Sequence, residues 1–445
     1  MDPDSKITSL AQVAETALVV ARSGGADQAE VALSSDSGLS VTVRLGELES
    51  VEHHRDQGLA VTVYCGGRKG SASSADISAA GIQSVVERAL SIATFTEIDP
   101  YTGLAPAERM AVNPPDLELA FPWALTVDEA ETLAQAAEAS ARGFDPRISN
   151  SEGATVSSGR AMKVYANSHG FSGGYPLTSH SLSCAVVASQ GGAMERDYWY
   201  SVARDPKQLM SAEALGRRAA ERAVRRLNGK SVRSQAVPVV FPAEIARGLV
   251  GHLVAAIAGG AQYRKATFLL DALGEQLFPS AVSIREEPWI SGAMGSVPFD
   301  NEGVATAPRA LIEDGILQGY VLSSYSARRL GMESTGNAGG THNLVVAATV
   351  DADVVGLCAD LKRGFLVTEL MGQGVNTVTG DYSRGAAGFW IEDGQIAYPV
   401  NEVTIAGNLR EMFMGIDAIG TDVDTRSSVH IGSLRLNDMT IAGAG

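Results

Sequence analysis

Apolar residues recur at the spacing of an amphipathic helix in several stretches of the chain. Residues 10–21 follow this pattern and stop at Gly24, a residue that favours the left-handed cap of a helix. The same periodicity predicts helices over residues 82–93 and 211–227. Thr126 and Glu129 have the spacing of a capping box, which predicts the start of another helix.

Other stretches alternate apolar and polar residues, the pattern of a half-buried β-strand. Residues 39–45 and 59–63 alternate in this way, and further strands are predicted within residues 155–164 and 179–190. Two later segments, around Asp314-Gly315 and Asp393-Gly394, place Asp-Gly between apolar runs. That dipeptide suits the positive backbone angles of a tight hairpin turn, so both segments are predicted to be β-hairpins.

The order of these elements predicts an α+β protein with two domains. Residues 1–230 are expected to form a domain of helices packed on an antiparallel sheet. Residues 231–445 are expected to form a strand-rich domain, either a curved antiparallel sheet or barrel-like, with a helix that starts at Pro242. Residues 99–122 hold five prolines and few periodic apolar positions, which indicates a surface loop or an internal linker.

Composition and charge narrow the function classes. The 445 residues carry 35 Lys and Arg against 51 Asp and Glu, a net charge of −16, so nothing favours binding to nucleic acid or to an anionic membrane. The apolar run at 248–261 is too short to span a bilayer. Residues 1–4 lack the features of a secretory signal, which predicts a cytoplasmic location. The three cysteines are widely separated and predicted to be buried apolar residues.

Motifs for catalysis are weak. Gly170 to Gly174 matches Gly-x-Ser-x-Gly, but Pro176 follows where a nucleophile elbow needs a helix, which favours a glycine-rich hairpin. The adjacent acids Glu286 and Glu287 are interpreted as solvated surface. The seven histidines contain no pair at the helical spacing of a zinc hydrolase.

Four runs of sequence resemble those of the TldD/PmbA family, and the last points to its PmbA (TldE) branch. They lie at residues 323–328 (SSYSAR), 336–343 (GNAGGTHN), 380–392 (GDYSRGAAGFWIE) and 399–408 (PVNEVTIAGN). The resemblance extends over essentially the whole chain.

The resemblance implies a two-component cytoplasmic metalloprotease in which a TldD-type subunit holds zinc on a His-Glu-x-x-x-His helix completed by a cysteine near its C-terminus. In this sequence the matching positions are Arg247, Gly248 and His252, and no cysteine follows Cys358. One imidazole cannot hold zinc, and glycine cannot accept a proton. We therefore expect neither a catalytic nor a metal-binding residue nor a cofactor in this chain, with zinc expected on the TldD partner.

The leading hypothesis is a non-catalytic subunit that forms a heterodimer with a TldD-type subunit. By resemblance, its substrates are unfolded or short peptides, including peptide-antibiotic precursors and antitoxins. Candidate residues for lining a chamber or an interface are Tyr325, His342, Asn343 and Arg384. An alternative role for these four is to stabilise turns by hydrogen bonds.

Two other hypotheses stay open. One is a stand-alone hydrolase centred on Ser172 or on His180 and Cys184, although about 3.3 Å per residue along a strand sets the latter two far apart. The other is a homodimeric binding protein that modulates another protein, such as a gyrase modulator, without a protease partner.

Overall fold

The computed structural model describes residues 3–444, so Met1, Asp2 and Gly445 lie outside it, including half of the segment on which the cellular location was predicted. The helices are α1 (Pro3–Ser23), α2 (Ala79–Phe95), α3 (Val127–Arg142), α4 (Ala212–Arg226), α5 (Ala243–Ile257), α6 (Gly259–Tyr263), α7 (Ser324–Leu330), α8 (Val354–Cys358) and α9 (Leu409–Met414).

The strands of the N-terminal half are β1 (Gln28–Arg44), β2 (Glu47–Cys65), β3 (Arg68–Ser74), β4 (Ile148–Asn167), β5 (Ser172–Gln190) and β6 (Ala193–Ala203). Those of the C-terminal half are β7 (Arg233–Phe241), β8 (Ile284–Glu286), β9 (Arg309–Glu313), β10 (Ile316–Leu317), β11 (Leu344–Val346), β12 (Arg363–Met371), β13 (Asp381–Glu392), β14 (Gln395–Asn408), β15 (Ile416–Ile419), β16 (Val429–His430) and β17 (Leu434–Ala444).

The N-terminal half is one antiparallel sheet in the order β3-β2-β1-β4-β5-β6, covered by α1 to α4. Its elements repeat, because α1-β1-β2-β3-α2 has the same order as α3-β4-β5-β6-α4. The two units meet along β1 and β4, which pair antiparallel as a local two-fold axis would require. The sequence did not reveal this repeat.

The helices lie on one face of this sheet. Alternate residues of β1, such as Val31 and Val41, are fully buried, the former among α1 and α2 and the latter among α3 and α4. The contacts between α3 and α4 are made by small residues. At Gly216 of α4 an added Cβ atom would lie 1.9 Å from the carbonyl oxygen of Ala137 of α3. This close approach requires glycine.

The C-terminal half contains a closed barrel. Its sheet runs in the order β14-β13-β12-β7-β17-β15, and β14 also pairs with β17, so five of the six strands form a ring. The pair β7–β12 is parallel and the other pairs are antiparallel. A smaller sheet, β10-β9-β8-β11-β16, packs beside it. The predicted α+β class and the barrel-like C-terminal half are confirmed.

Several local predictions are also confirmed. Helix α3 begins with the Thr126–Glu129 capping box. The Asp-Gly pairs at 314–315 and 393–394 occupy hairpin turns with positive φ angles at all four residues. Cys184 and Cys358 are buried, whereas Cys65 is only partly so. Within residues 3–444, no helix is both long enough and apolar enough to cross a membrane.

The proline-rich segment 99–122 links α2 to α3 within the N-terminal half, in agreement with a linker, and it also contacts the C-terminal half. Met110 forms a β-bridge with Val304, and Arg109 donates from Nη2 to the carbonyl oxygen of Ser334 at 2.7 Å. In return, Arg328 of α7 donates to three carbonyl oxygens of this segment, at Tyr101, Gly103 and Leu104. The segment therefore fixes the relative position of the sheet and the barrel half.

Candidate functional site

Helix α5 carries the positions that match the zinc motif. Pro242 precedes its first turn, and residues such as Leu249 and Leu253 pack into the main core of the C-terminal half. On the opposite side, Gly248 and Gly251 are exposed, and a Cβ atom added at either would meet, among residues 3–444, no heavy atom within 4 Å beyond the adjacent backbone of α5. One face of α5 is therefore open to solvent at the motif.

Arg247 lies where the first histidine ligand would be. Its Nη1 donates a hydrogen bond of 3.2 Å to the hydroxyl group of Tyr200 on β6. The guanidinium is thus held towards the N-terminal sheet. Arginine carries a permanent positive charge and offers no lone pair to a metal ion.

His252 lies one turn further along α5 and is half-buried. Its ring meets the ring of Tyr382 edge to face, with 5.9 Å between the centroids. Burial lowers the pKa of His252 from its ordinary value, and the positive charge of Arg384 lowers this pKa further. The imidazole is consequently neutral at pH 7, beside a fixed cation.

Tyr382 and Arg384 come from β13, two residues apart and hence on the same face of that strand. Burial raises the pKa of the Tyr382 hydroxyl to about 12, an effect that the neighbouring Arg384 opposes. Arg384 donates from Nη2 to the carbonyl oxygen of Leu370 at 3.4 Å, and its Nε is buried with no hydrogen-bond partner in the part of the chain that the structure describes. Tyr382 lies within the quoted run 380–392, where the spacing to Arg384 could have identified it.

These residues do not fit a zinc ion. A catalytic zinc site in a protein uses three side-chain ligands, and His252 is the one donor at the motif positions. The Arg384 guanidinium beside it would repel a divalent cation. Across residues 3–444, no group of three or more His, Cys, Asp or Glu side chains could hold a metal ion.

The other three candidates for a chamber or interface, Tyr325, His342 and Asn343, form their side-chain hydrogen bonds with residues outside α5. The Tyr325 hydroxyl donates to Oδ2 of Asp99 at 2.8 Å, so Tyr325 joins α7 to the proline-rich segment. Asn343 is fully buried, and its Nδ2 donates to the carbonyl oxygen of Glu287 and to Oγ of Ser296.

His342 is 7% exposed and forms a hydrogen bond from Nε2 to the carbonyl oxygen of Gly336 at 2.9 Å. The hydrogen bonds of His342 and Asn343 join residues of neighbouring turns, as the alternative role of stabilising turns would require.

Glu286 contradicts the interpretation of the Glu286-Glu287 pair as solvated surface. Its side chain is buried and accepts hydrogen bonds from Arg309 Nε at 2.7 Å, Asn337 Nδ2 at 2.7 Å and the His342 amide at 2.8 Å. Arg309 and Asn337 are distant in the sequence from Glu286, so adjacency alone could not show this network. It orders the glycine-rich turn of residues 336–343.

The hydrolase alternatives find no support in local geometry. Ser172 begins strand β5 rather than a helix. Burial raises the pKa of the Cys184 thiol to about 12, which keeps it protonated and a poor nucleophile. His180 is buried, with Nδ1 3.0 Å from Ser158 Oγ and Nε2 2.9 Å from the carbonyl oxygen of Phe121.

The chain thus combines a repeated helix–sheet unit with a barrel half whose helix α5 lacks the ligand set of a zinc peptidase. Models described as domain 1, the central domain and the C-terminal domain of PmbA/TldA metallopeptidases match residues 29–93, 121–227 and 234–443. The chain therefore belongs to the PmbA/TldD family.

Named relatives agree with this assignment to the PmbA (TldE) branch. The metalloprotease PmbA of Escherichia coli O157:H7 is 48% identical, covering 98% of this chain and 96% of that protein. Among solved structures, a "putative modulator of DNA gyrase" from Bacteroides thetaiotaomicron has a TM-score of 0.92 at 30% identity, covering 97% of this chain and 98% of the other. TldE from Thermococcus kodakarensis shares the fold, with a TM-score of 0.85 at 20% identity over 97% of this chain and all of the other.

Proposed function

We propose that this chain is the subunit without zinc in a cytoplasmic two-subunit TldD/TldE-type metalloprotease. A TldD-type partner would hold the zinc ion, and the substrates would be unfolded or short peptides, such as peptide-antibiotic precursors and antitoxins. The observation that carries the proposal is the state of the α5 motif, where His252 is the one possible ligand and Arg384 lies beside it.

The chemistry of peptide hydrolysis by zinc supports this assignment. Such a site needs deprotonated ligands for the metal and a carboxylate that takes the proton from the bound water. The Glu position of the motif is Gly248, which has no side chain, and the first His position is Arg247. A neighbouring guanidinium favours neutral His252 but also repels the metal ion.

The open face of α5 suggests what this chain contributes instead. The space beside Gly248 and Gly251 would accept part of an extended peptide without displacing a side chain. An extended peptide can be held by main-chain hydrogen bonds that do not depend on its sequence.

Native mass spectrometry tests the proposal. The purified chain alone and its mixture with a TldD-type protein from the same cell would be measured, with zinc assigned to each subunit. We expect a heterodimer with zinc on the partner, and cleavage of an unstructured peptide by the mixture only. His252→Ala should leave the zinc content of the mixture unchanged, whereas a partner with an altered His-Glu-x-x-x-His motif should lose both zinc and activity.

Three results would contradict the proposal. Near-equimolar zinc on this chain would show a metal site that α5 does not provide. Peptide cleavage by the chain alone would favour the hydrolase hypothesis. A homodimer that persists in the presence of the TldD-type protein would favour the modulator hypothesis.

A further inference from the structure

A cleft of about 530 Å³ lies between the two halves of the chain, next to the start of α5. One wall is formed by Trp199 and Tyr200 of β6 and by the arginines of α4. The other wall contains Phe389 of β13 and Arg426.

Trp199 is surrounded by guanidinium groups. The Cζ atoms of Arg218, Arg222 and Arg426 lie 5.3, 5.0 and 4.4 Å from the centre of its ring. Arg225, from the same helix as Arg218 and Arg222, reaches the other wall, where its Cζ lies 4.9 Å from the centre of the Phe389 ring. Residues 218, 222 and 225 share one face of α4 because they are spaced at i, i+4 and i+7. The cleft is therefore an arrangement of cations on aromatic rings.

Two of these arginines are neutralised within the chain. Arg222 pairs with Asp197 at 3.1 Å and with Glu244 at 3.2 Å. Arg426 makes a two-pronged contact with Asp424, at 2.9 and 3.0 Å. These pairs fix the shape of the cleft, because a bidentate guanidinium–carboxylate contact restricts both groups.

The other two arginines retain their charge for a ligand. Arg218 contacts Glu221 at 3.5 Å, with both side chains more than 40% exposed, a weak pair. Arg225 has no ion pair or hydrogen bond with any of residues 3–444 (its contact is the Phe389 ring). In addition, Trp199 Nε1 is buried and finds no acceptor among the described residues. Together these groups offer two cations and one neutral donor.

We propose that this cleft binds the carboxylate of an acidic peptide segment. A carboxylate accepts two parallel hydrogen bonds from a guanidinium, and a second oxygen or a peptide carbonyl could accept from Trp199 Nε1. The aromatic rings of the cleft would cover the apolar part of the segment.

The charges around the cleft favour a monoanion over a polyphosphate. Five arginines (218, 222, 225, 226 and 426) and four acids (Asp197, Glu244, Asp422 and Asp424) line it. Arg226 is also paired with Glu195 at 3.4 Å and with Glu369 at 2.6 Å, so within residues 3–444 Arg225 is the one lining arginine without an ion pair. A polyanion would meet the four carboxylates of the lining and a chain whose net charge is −16. A single carboxylate matches the free charge of Arg225.

The cleft adjoins the open face of α5. Glu244 lines the cleft and precedes Arg247 by one turn, while Tyr200 lines the cleft and accepts the hydrogen bond from Arg247. A peptide that lies along α5 could therefore place an acidic residue in the cleft. The binding of a carboxylate does not depend on the proposed function, since it requires neither zinc nor a partner.

Fluorescence anisotropy of the full chain tests this inference. The probe is a fluorescein-labelled Gly-Ser-Ala-Glu-Ala peptide amide, and its control is the same amide with Gln in place of Glu, so that the two differ by one carboxylate. We expect the acidic peptide to bind more tightly than the control peptide. Its binding should weaken as salt is added, because salt screens the charges. The double variant Arg218→Gln, Arg225→Gln should bind it at least about tenfold more weakly, the loss of about 1.4 kcal/mol of affinity.

Matched variants separate binding from folding. Arg217→Gln removes an exposed charge from the same helix but not from the cleft, so it should bind the acidic peptide as the unaltered chain does. Trp199→Phe keeps an aromatic ring and removes the Nε1 donor, and should bind more weakly. Equal binding of both peptides, equal losses in Arg217→Gln and the double variant, or displacement by inorganic phosphate more readily than by acetate would overturn the inference.

The carboxylate could belong to a substrate or to a partner subunit, and the double variant distinguishes them. If substrates supply it, the variant should form the heterodimer normally but show a raised KM for acidic peptides. If the partner supplies it, the variant should weaken the heterodimer, and the unaltered heterodimer should no longer bind the probe. Should the heterodimer not form at all, the proposed function fails while probe binding by the chain alone still decides this inference.

Discussion

Arg247 of α5 donates a hydrogen bond of 3.2 Å to the hydroxyl group of Tyr200 of β6. The residue at the first ligand position of the motif therefore connects the barrel half to the N-terminal sheet. Its neighbours on the open face are Gly248 and Gly251, and the space where their side chains would lie is empty in the structure of residues 3–444. In this chain, Arg247 therefore has a structural role, and Gly248 leaves free space on the surface of α5.

Gly251→Ala should stabilise the protein. An alanine in an exposed helix interior is favoured over glycine by about 0.5–1 kcal/mol, and the added Cβ meets nothing within 4 Å. Gly216→Ala is the matched control on α4, where the added Cβ would lie 1.9 Å from the Ala137 carbonyl oxygen. Urea denaturation should show opposite changes in the free energy of unfolding. A destabilising effect of Gly251→Ala would mean that the α5 face is covered.

Replacing Arg384 should raise the pKa of His252. The guanidinium lowers this pKa by charge repulsion, so Arg384→Met should move it towards 6.5, while burial keeps it below that value. Arg384→Lys retains the charge and should leave the pKa low. Arg247→Met, which removes a charge that does not shift His252, should have no effect. Titration of the imidazole by NMR measures all four proteins, and an unchanged pKa in Arg384→Met would contradict the proximity of the two groups.

The same shift has a consequence for stability against pH. Because the pKa of His252 is lower in the folded chain than the ordinary 6.5, the unfolded chain binds the proton more readily. His252 therefore contributes stability above pH 6.5 that is lost as the pH falls through the folded pKa. On acidification, the unaltered chain should lose more unfolding free energy than His252→Asn, which has no imidazole to protonate. A difference that is constant with pH would show that the pKa of His252 is not shifted.

Glu286→Gln should be strongly destabilising. The change removes the buried charge that pairs with Arg309 at 2.7 Å, which leaves the partly buried Arg309 guanidinium without its counter-charge and costs about 3 kcal/mol. Glu287→Gln is the adjacent control, since the Glu287–Arg285 pair is partly exposed and contributes at most about 1 kcal/mol. Denaturant midpoints of the two variants should differ clearly. Similar midpoints would show that Glu286 does not order the 336–343 turn.

Arg328→Ala should loosen the connection between the two halves. Arg328 donates to three carbonyl oxygens of the proline-rich segment, and hydrogen bonds from a charged group contribute at least about 1.5 kcal/mol each. Tyr325→Phe removes one hydrogen bond to the same segment, at Asp99, and should have the smaller effect. Limited proteolysis of residues 99–104 would compare them. Equal protection in both variants would show that Arg328 does not hold the segment.

Local sequence predicted local structure well, because periodicity, capping residues and turn residues act over a few positions. The Thr126 cap, the Asp-Gly hairpins and the helix after Pro242 all follow from neighbouring residues. The closure of the barrel does not, since it depends on pairing of β14 with β17 after the intervening chain has turned. The sequence did not predict the repeated unit of the N-terminal half, because its two copies share the order of their elements and no recognisable run of residues.

In the candidate site, too, the sequence predicted the residue types and the structure was needed to show their contacts. The sequence by itself determined that the α5 motif reads Arg247, Gly248 and His252, because ligand identity is a property of single residues. Only the tertiary structure decided that Arg384 lies near enough to His252 to lower its pKa, that Glu286 is buried, and that Trp199 meets arginines from two halves of the chain. These contacts join residues far apart in the sequence, and burial sets the strength of their charges.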